Sequence, residues 1–186
     1  MKARIALVVL MLLACTAILV SASTGAADRP SRAASASKAP FVGTWRRLTT
    51  CGELVAALRN AGMGRWVSEF VAGNGFVPGV NAAGQIADPK HPCARAVPRR
   101  HAHFFTAGGA FGSLDWKGQQ VDDGQYKVID KSTLVISKEF PSVTFHYTVA
   151  GRNIRFAPVV PQGCLTFRCA WAISMAYPGK TWQRVS

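Results

Sequence analysis

Acidic residues are scarce in this chain. It has nine Asp and Glu against 22 Lys and Arg, so its formal net charge is +13. A basic chain suggests nucleic acid as a partner, but nucleic-acid-binding proteins usually concentrate their basic residues on one face or one helix. Here the basic residues are scattered from Arg46 to Arg168. We therefore expect no specific nucleic-acid partner. We expect a solvated basic surface, and the alternative is a surface that is attracted to anionic cell-wall polymers or membrane surfaces.

Patterns that mark enzymes and metal sites are also missing. The sequence has no G-x-S-x-G nucleophile elbow, and it lacks the C-x2-C spacing of a four-thiolate zinc site. The Gly-rich stretch 108–112 joins two predicted strands, whereas a phosphate-binding loop needs a helix after it. Asp115, Asp122 and Asp123 could be paired carboxylates, but Asp122-Asp123-Gly124 more simply indicates a turn or strand entry. We expect no catalytic residue and no cofactor.

The first 27 residues predict a secretory signal peptide. A short basic start precedes the apolar run Ile5–Val20, and small residues follow it. An uncleaved anchor is the alternative, although the run is slightly short of the roughly 20 residues of a spanning helix. Cys15 ends a stretch similar to a bacterial lipobox, so lipoprotein anchoring there is a second alternative. Residues 28–40 predict a flexible tether, since they carry almost no large apolar side chain.

The folded segment 41–186 predicts one β-rich domain. After a first strand at 41–48, Thr50 and Glu53 have the spacing of a helical capping box, and a second short apolar stripe ends near Gly73. The helical insertion and a long loop occupy about 50–98. Eight further strands are predicted with turn residues between them: Arg99–Thr106, Ala110–Trp116, Gly124–Val128, Thr133–Ser137, Val143–Val149, Asn153–Pro158, Cys169–Ala176 and Thr181–Val185. Short connections imply antiparallel neighbours, so an up-and-down barrel or a sandwich of eight or nine strands is expected.

Four cysteines lie in the folded segment, and an even number in an exported chain suggests disulfides. Three pairings are possible. We favour Cys51 with Cys93, which would staple the long loop, and Cys164 with Cys169, which would close a small loop beside the last strands.

Two short motifs stand at the ends of the domain. Gly43-x-Trp45 lies on the first predicted strand and Arg184 on the last. Together with the series of hairpins between them, they resemble the lipocalin-like (calycin) β-barrels, specifically small secreted bacterial lipocalin-like proteins. The resemblance implies that Trp45 closes one end of the barrel and that Arg184 packs across it. It also implies a small ligand held inside a monomeric barrel.

Histidines offer one candidate metal site. His101 and His103 are two apart on a predicted strand, so they face the same side about 7 Å apart. His146, on a later strand, could supply a third ligand if it points the same way, and three histidines with one open position suit a zinc-bound water. The alternative is that all three are ordinary strand histidines.

Aromatic side chains are the remaining candidates for binding a ligand. A barrel of about eight strands either fills with side chains or holds one small ligand. The candidate ligand-binding residues are Phe105, Tyr126, Phe145, Tyr147, Phe156 and Trp171. The sequence thus predicts a secreted lipocalin-like barrel that binds a small apolar molecule without catalysis. The alternatives are a cell-envelope interaction protein with a filled barrel and an enzyme that uses a metal bound by the three histidines.

Overall fold

The protein is described here from a computed structural model of the whole chain, in which residues 39–80, 87–138 and 142–186 are described. The predicted signal peptide, Cys15 and most of the predicted tether lie outside the described residues. No helix within those three ranges is long and apolar enough to cross a membrane.

The described residues form a closed antiparallel barrel of eight strands, which confirms the predicted fold class. Each strand pairs with the next, and the last pairs with the first. The strands are β1 (Gly43–Thr49), β2 (Arg99–Phe105), β3 (Ala110–Leu114), β4 (Gln120–Asp130), β5 (Thr133–Ser137), β6 (Val143–Ala150), β7 (Asn153–Pro158) and β8 (Thr181–Arg184). The helices are α1 (Cys51–Asn60), α2 (Val67–Gly73) and α3 (Phe167–Ala176), with a short 3-10 turn at Gly64–Trp66.

Helix α1 begins where the capping-box spacing predicts it. The Glu53 amide donates to the Thr50 hydroxyl, and the Glu53 carboxylate accepts from the Thr50 amide. Both contacts satisfy amides that would otherwise lack partners at the start of a helix. Leu54 and Leu58 then recur at helical spacing and are fully buried. The local sequence therefore determines this element.

Helix α3 corrects the predicted strand at Cys169–Ala176. The Thr166 hydroxyl accepts from the Cys169 amide and starts a helix, and Tyr177 ends it in the left-handed region at φ 46°. Every residue from Cys169 to Ala176 is buried, so the segment shows no alternation of apolar and polar residues. A short, uniformly apolar run does not distinguish a buried strand from a buried helix.

Both disulfides have the favoured pairing. Cys51 and Cys93 are joined with their Cα atoms 5.7 Å apart, which ties the start of α1 to the long loop before β2. Cys164 and Cys169 are joined with their Cα atoms 6.3 Å apart. The second disulfide holds the first turn of α3 rather than a strand. Both fit an oxidising environment.

The two ends of the barrel have different connections. At one end, which we call the turn end, short turns at 106–109, 131–132 and 151–152 join consecutive strands. At the other, which we call the helix end, the connections 50–98 and 159–180 carry the helices. The Met175 and Ala176 carbonyls accept hydrogen bonds from the inward side chains of His103 and Trp182. The last turn of α3 therefore lies against the barrel interior.

The turn end is filled by aromatic side chains. Phe41 lies just before β1 and is fully buried. Its ring makes edge contacts with Phe105, Tyr126 and Tyr147 at centroid distances of 5.3, 5.2 and 4.7 Å. Phe105 in turn stacks on Phe156 at 5.7 Å. Such edge-to-face and offset pairs are the favoured aromatic geometries, so this half of the interior is a packed core.

Trp45 and Arg184 meet where the barrel closes. They are directly opposite in the β1–β8 pairing, and the Arg184 guanidinium lies 4.6 Å from the centre of the Trp45 ring. The Trp45 indole donates to the Phe41 carbonyl, and Arg184 donates to the Pro40 carbonyl. Gly43 has φ 140°, and a Cβ there would lie 2.4 Å from the Ser186 carbonyl oxygen. Glycine at this position therefore lets the last residue lie against the first strand.

Candidate functional site

A cavity of about 260 Å³ lies at the helix end, between β2, β3, β4, α2 and α3. Its walls combine aromatic, apolar and polar side chains. The lining residues are Phe70, Gly73, Asn74, His101, His103, Ser113, Leu114, Asp115, Val121, Asp122, Trp171, Ser174, Met175, Tyr177 and Trp182. Val121 is 56% exposed, so it lies at the rim.

Strand register brings the polar groups of this cavity together. His103 on β2 is paired with Ser113 on β3, and Ser113 is paired with Asp122 on β4. Directly opposed residues on neighbouring strands point to the same face of a sheet. Since His103 and Ser113 are buried, this face is the interior. Three consecutive strands thus place an imidazole, a hydroxyl and a carboxyl in one row.

The row forms a hydrogen-bonded chain. His103 Nδ1 lies 2.9 Å from Ser113 Oγ, and His103 Nε2 lies 3.0 Å from the Met175 carbonyl oxygen. Because a carbonyl only accepts, Nε2 carries a proton and donates it. Burial raises the pKa of the Asp122 carboxyl, while hydrogen bonds from Ser113 and Trp171 partly offset the rise. Ser113 therefore bridges the histidine and the carboxyl.

The number of protons limits which hydrogen bonds His103, Ser113 and Asp122 can make at the same time. A serine hydroxyl has one proton, so it donates either to a neutral His103 Nδ1 or to an ionised Asp122, not to both. Both contacts are satisfied together only when the pair holds one additional proton, on Asp122 or on His103. His103 and Asp122 therefore titrate as a coupled pair and not independently.

The same three residue types form the catalytic triad of serine hydrolases, but the order here differs. In a triad the histidine lies between the serine and the carboxylate, takes the serine proton and is oriented by the acid. Here Ser113 lies in the middle, and the other nitrogen of His103 is held by the Met175 carbonyl. Burial also lowers the pKa of His103 to about 4, which makes it a weak base at neutral pH.

His101 lies beside this row on the same face of β2. Its Nδ1 is 2.7 Å from the Thr49 hydroxyl, and its Nε2 is 3.3 Å from the Asn74 carbonyl oxygen. Burial lowers its pKa to about 4, against smaller opposing effects of Asn74 and Asp115. Both imidazoles of the cavity are therefore neutral near pH 7.

Tyr177 contributes a buried hydroxyl. Its side chain is fully shielded, and the hydroxyl makes no hydrogen bond of ordinary geometry with the described residues. Burial raises its pKa well above the usual value, although the nearby Thr49 and Arg47 oppose the rise. Thr49 is already hydrogen-bonded to the Arg99 carbonyl and to His101. An unsatisfied buried hydroxyl costs about 1–3 kcal/mol.

His146 does not join the other two histidines. It is exposed on β6, and its Nδ1 lies 3.1 Å from the Thr133 hydroxyl on β5. In the closed barrel, β6 is four strands away from β2 in either direction. Within the described ranges, no three His, Cys, Asp or Glu side chains are grouped so that they could hold a metal ion.

The aromatic candidates divide between core and cavity. Four of them, Phe105, Phe145, Tyr147 and Phe156, are buried in the barrel core, and Tyr126 packs against that core. Trp171 lines the cavity from α3. Phe105, Tyr126 and Tyr147 contact Phe41, and Phe156 contacts Phe105 on one side and His103 of the cavity on another.

The residues that the sequence analysis did not select are Ser113, Ser174, Tyr177 and Trp182, all of which line the cavity. Asp122 was interpreted as part of a turn or strand entry, and it lies near the start of β4. Alternation along β3 from Phe111 would have placed Ser113 on the inner face. Tyr177 and Ser174 had no such signal, since their position depends on α3.

Comparison with known proteins gives no match for this chain, either among protein-family models or among curated proteins.

Proposed function

We propose that the protein is a secreted, non-catalytic binding protein that holds one small molecule in the cavity at the helix end. The observation that carries this proposal is a partly open cavity of about 260 Å³ with convergent polar groups and aromatic walls. Small-molecule sites are usually concave, mostly apolar and equipped with a few placed polar groups. Two disulfides and the predicted signal peptide support an extracytoplasmic location.

The volume limits the size of the ligand. A cavity of about 260 Å³ is slightly below the roughly 300–1,000 Å³ of pockets that hold drug-sized ligands. It suits a small molecule such as a single ring with a short arm. The proposed ligand is thus more polar than the apolar ligand expected from the sequence, and it lies at the mouth of the barrel rather than along its axis.

Fragment binding followed by two-dimensional ¹⁵N–¹H NMR tests the proposal. We expect fragments with a single ring and a short arm to shift the amides of Asn74, Ser113 and Ser174 and the indole signals of Trp171 and Trp182. Ser174→Phe should abolish these shifts because the added ring fills the cavity. Thr148→Phe, which adds the same ring on the exposed face of β6, is the matched control and should leave them unchanged. If no fragment in the set shifts a cavity signal in the wild-type protein, the proposal is wrong.

A further inference from the structure

We infer that the ligand of this cavity is a small organic cation, in which an amine or ammonium group is attached to an apolar body. This inference rests on the proposed function and adds the chemical class of the ligand. It is carried by the charge of the lining, by a carboxylate that has no ion-pair partner in the part of the chain that the structure describes, and by the aromatic walls around it.

The cavity has the opposite charge to the rest of the protein. The whole chain has 22 Lys and Arg and only nine Asp and Glu. Two acidic residues, Asp115 and Asp122, line the cavity, and none of the described lining residues is a Lys or Arg. Since burial lowers the pKa of both lining histidines to about 4, they add no positive charge at neutral pH. The cavity is therefore acidic in a strongly basic protein.

Among the described residues, no Lys or Arg forms an ion pair with Asp122. Both ion pairs found among the described residues involve Glu53, with Arg47 and Lys180 as its partners. Asp122 receives only neutral hydrogen bonds, from Ser113 and Trp171. A partly buried carboxylate that has lost water without gaining a cation is costly. A positively charged ligand group would offset that cost, whereas a carboxylate or phosphate ligand would meet repulsion.

The aromatic side chains near Asp122 can contact both the apolar part and the ammonium group of such a ligand. Trp171 donates to the Asp122 carboxyl, so the indole and the carboxylate are adjacent. Phe70, Tyr177 and Trp182 complete the aromatic part of the lining. Aromatic faces attract ammonium groups and also cover apolar carbon.

Three matched probes test the ligand class. Phenethylamine, 2-phenylethanol and phenylacetate each carry one ring on a short arm, and at pH 7 they are cationic, neutral and anionic. We expect isothermal titration calorimetry to show that phenethylamine binds at least tenfold more tightly than 2-phenylethanol, with phenylacetate weakest. Asp122→Asn should remove the preference for the amine. Asp123→Asn makes the same change in net charge at an exposed neighbour on β4, and it should keep the preference.

The pH dependence gives a test that needs no variant. As the pH falls from 7 to 4, Asp122, whose pKa is raised by burial, loses negative charge, and His101 and His103 become protonated. The affinity for phenethylamine should therefore fall at least tenfold, while the affinity for 2-phenylethanol should change much less. Tyr177 remains neutral throughout this range.

The outcomes separate this inference from the proposed function. If 2-phenylethanol or phenylacetate binds as tightly as the amine, or if only other, uncharged fragments shift the cavity signals, the ligand is not a cation and the binding function stands. If the amine binds selectively but Asp123→Asn abolishes the selectivity and Asp122→Asn does not, the assigned carboxylate is wrong. If neither the three probes nor any fragment reaches the cavity, both proposals fail.

Discussion

The turn end and the helix end of this barrel are built from the same eight strands but have opposite contents. At the turn end, Phe41 and the aromatic side chains around it fill the interior. At the helix end, His103, Ser113 and Asp122 face a cavity beneath α3. The turns at that end are short, and it is sealed by side chains of the strands together with Phe41, which lies just before β1. Long connections supply helices, which cover the other end without filling it.

This difference separates stability from function within one fold. A packed aromatic core loses contacts in all directions when it is truncated, whereas a cavity wall already lacks neighbours on one side. Polar groups at the helix end lower stability unless a partner satisfies them. We therefore expect the turn end to determine the free energy of unfolding, and the helix end to respond to ligand, pH and redox conditions.

The largest expected effect compares one phenylalanine at each end. Phe105→Ala at the turn end should lower the free energy of unfolding by about 3–5 kcal/mol. Phe70→Ala, in the cavity wall, should cost less than about 3 kcal/mol, because part of its ring already faces empty space. Urea denaturation measures both, with the exposed Val121→Ala as a control that should change stability by less than about 0.5 kcal/mol. Equal costs for the two phenylalanines would remove the distinction between the ends.

Both disulfides lie at the helix end, and their loop lengths predict unequal contributions. Cys51–Cys93 spans 42 residues and Cys164–Cys169 spans five. The chain-entropy estimate gives about 4 kcal/mol for the first and about 2 kcal/mol for the second. Replacing each pair by alanines and measuring thermal unfolding checks the order. A greater loss from the short loop would mean that the start of α3 depends on its disulfide for more than chain entropy.

Acid should destabilise the protein through the helix end. The pKa of His101 and of His103 is about 4 in the fold, against 6.5 for an ordinary histidine. The unfolded chain therefore binds more protons between these values, so the stability contributed by the neutral imidazoles is complete above pH 6.5 and is lost as the pH falls towards 4. Each histidine accounts for roughly 3 kcal/mol at most. The raised pKa of Asp122 acts in the opposite direction.

Urea denaturation from pH 7.5 to 4 measures this effect. His103→Gln should flatten the decline, and His146→Gln, which removes an imidazole from the exposed face of β6, should leave it as in the wild type. A decline that is insensitive to His103→Gln would place the acid response elsewhere in the molecule.

The smallest expected effect concerns the closure of the turn end. Arg184→Met removes the guanidinium above Trp45 but retains most of the side-chain length. A cation over an aromatic face contributes about 0.5–2 kcal/mol, so the loss should lie in that range. Arg46→Met, at an exposed neighbouring position on β1, is the matched control. Equal losses in the two variants would show that the contact with Trp45 adds nothing to closure.

Local patterns predicted the elements that depend on local interactions. Thr50 and Glu53 predicted the start of α1, and hairpin spacing predicted the antiparallel strands, because both are set by neighbours along the chain. The segment 167–176 was mistaken for a strand because its burial on all sides hides the periodicity that distinguishes helix from strand. Since α3 forms a wall of the cavity, that error also concealed Ser174 and the role of Tyr177.

The sequence by itself determined the antiparallel strands and the positions of the local caps and turns, and it favoured the closed barrel and the two disulfide pairs over their alternatives. Side-chain alternation and turn residues depend on near neighbours in the chain. Four cysteines allow only three pairings. Only the tertiary structure decided which histidines are buried, that Ser113 bridges His103 and Asp122, and that a cavity lies beneath α3. These features depend on strand register and on a helix that returns to the barrel after a long connection, and no local pattern specifies where such a helix will lie.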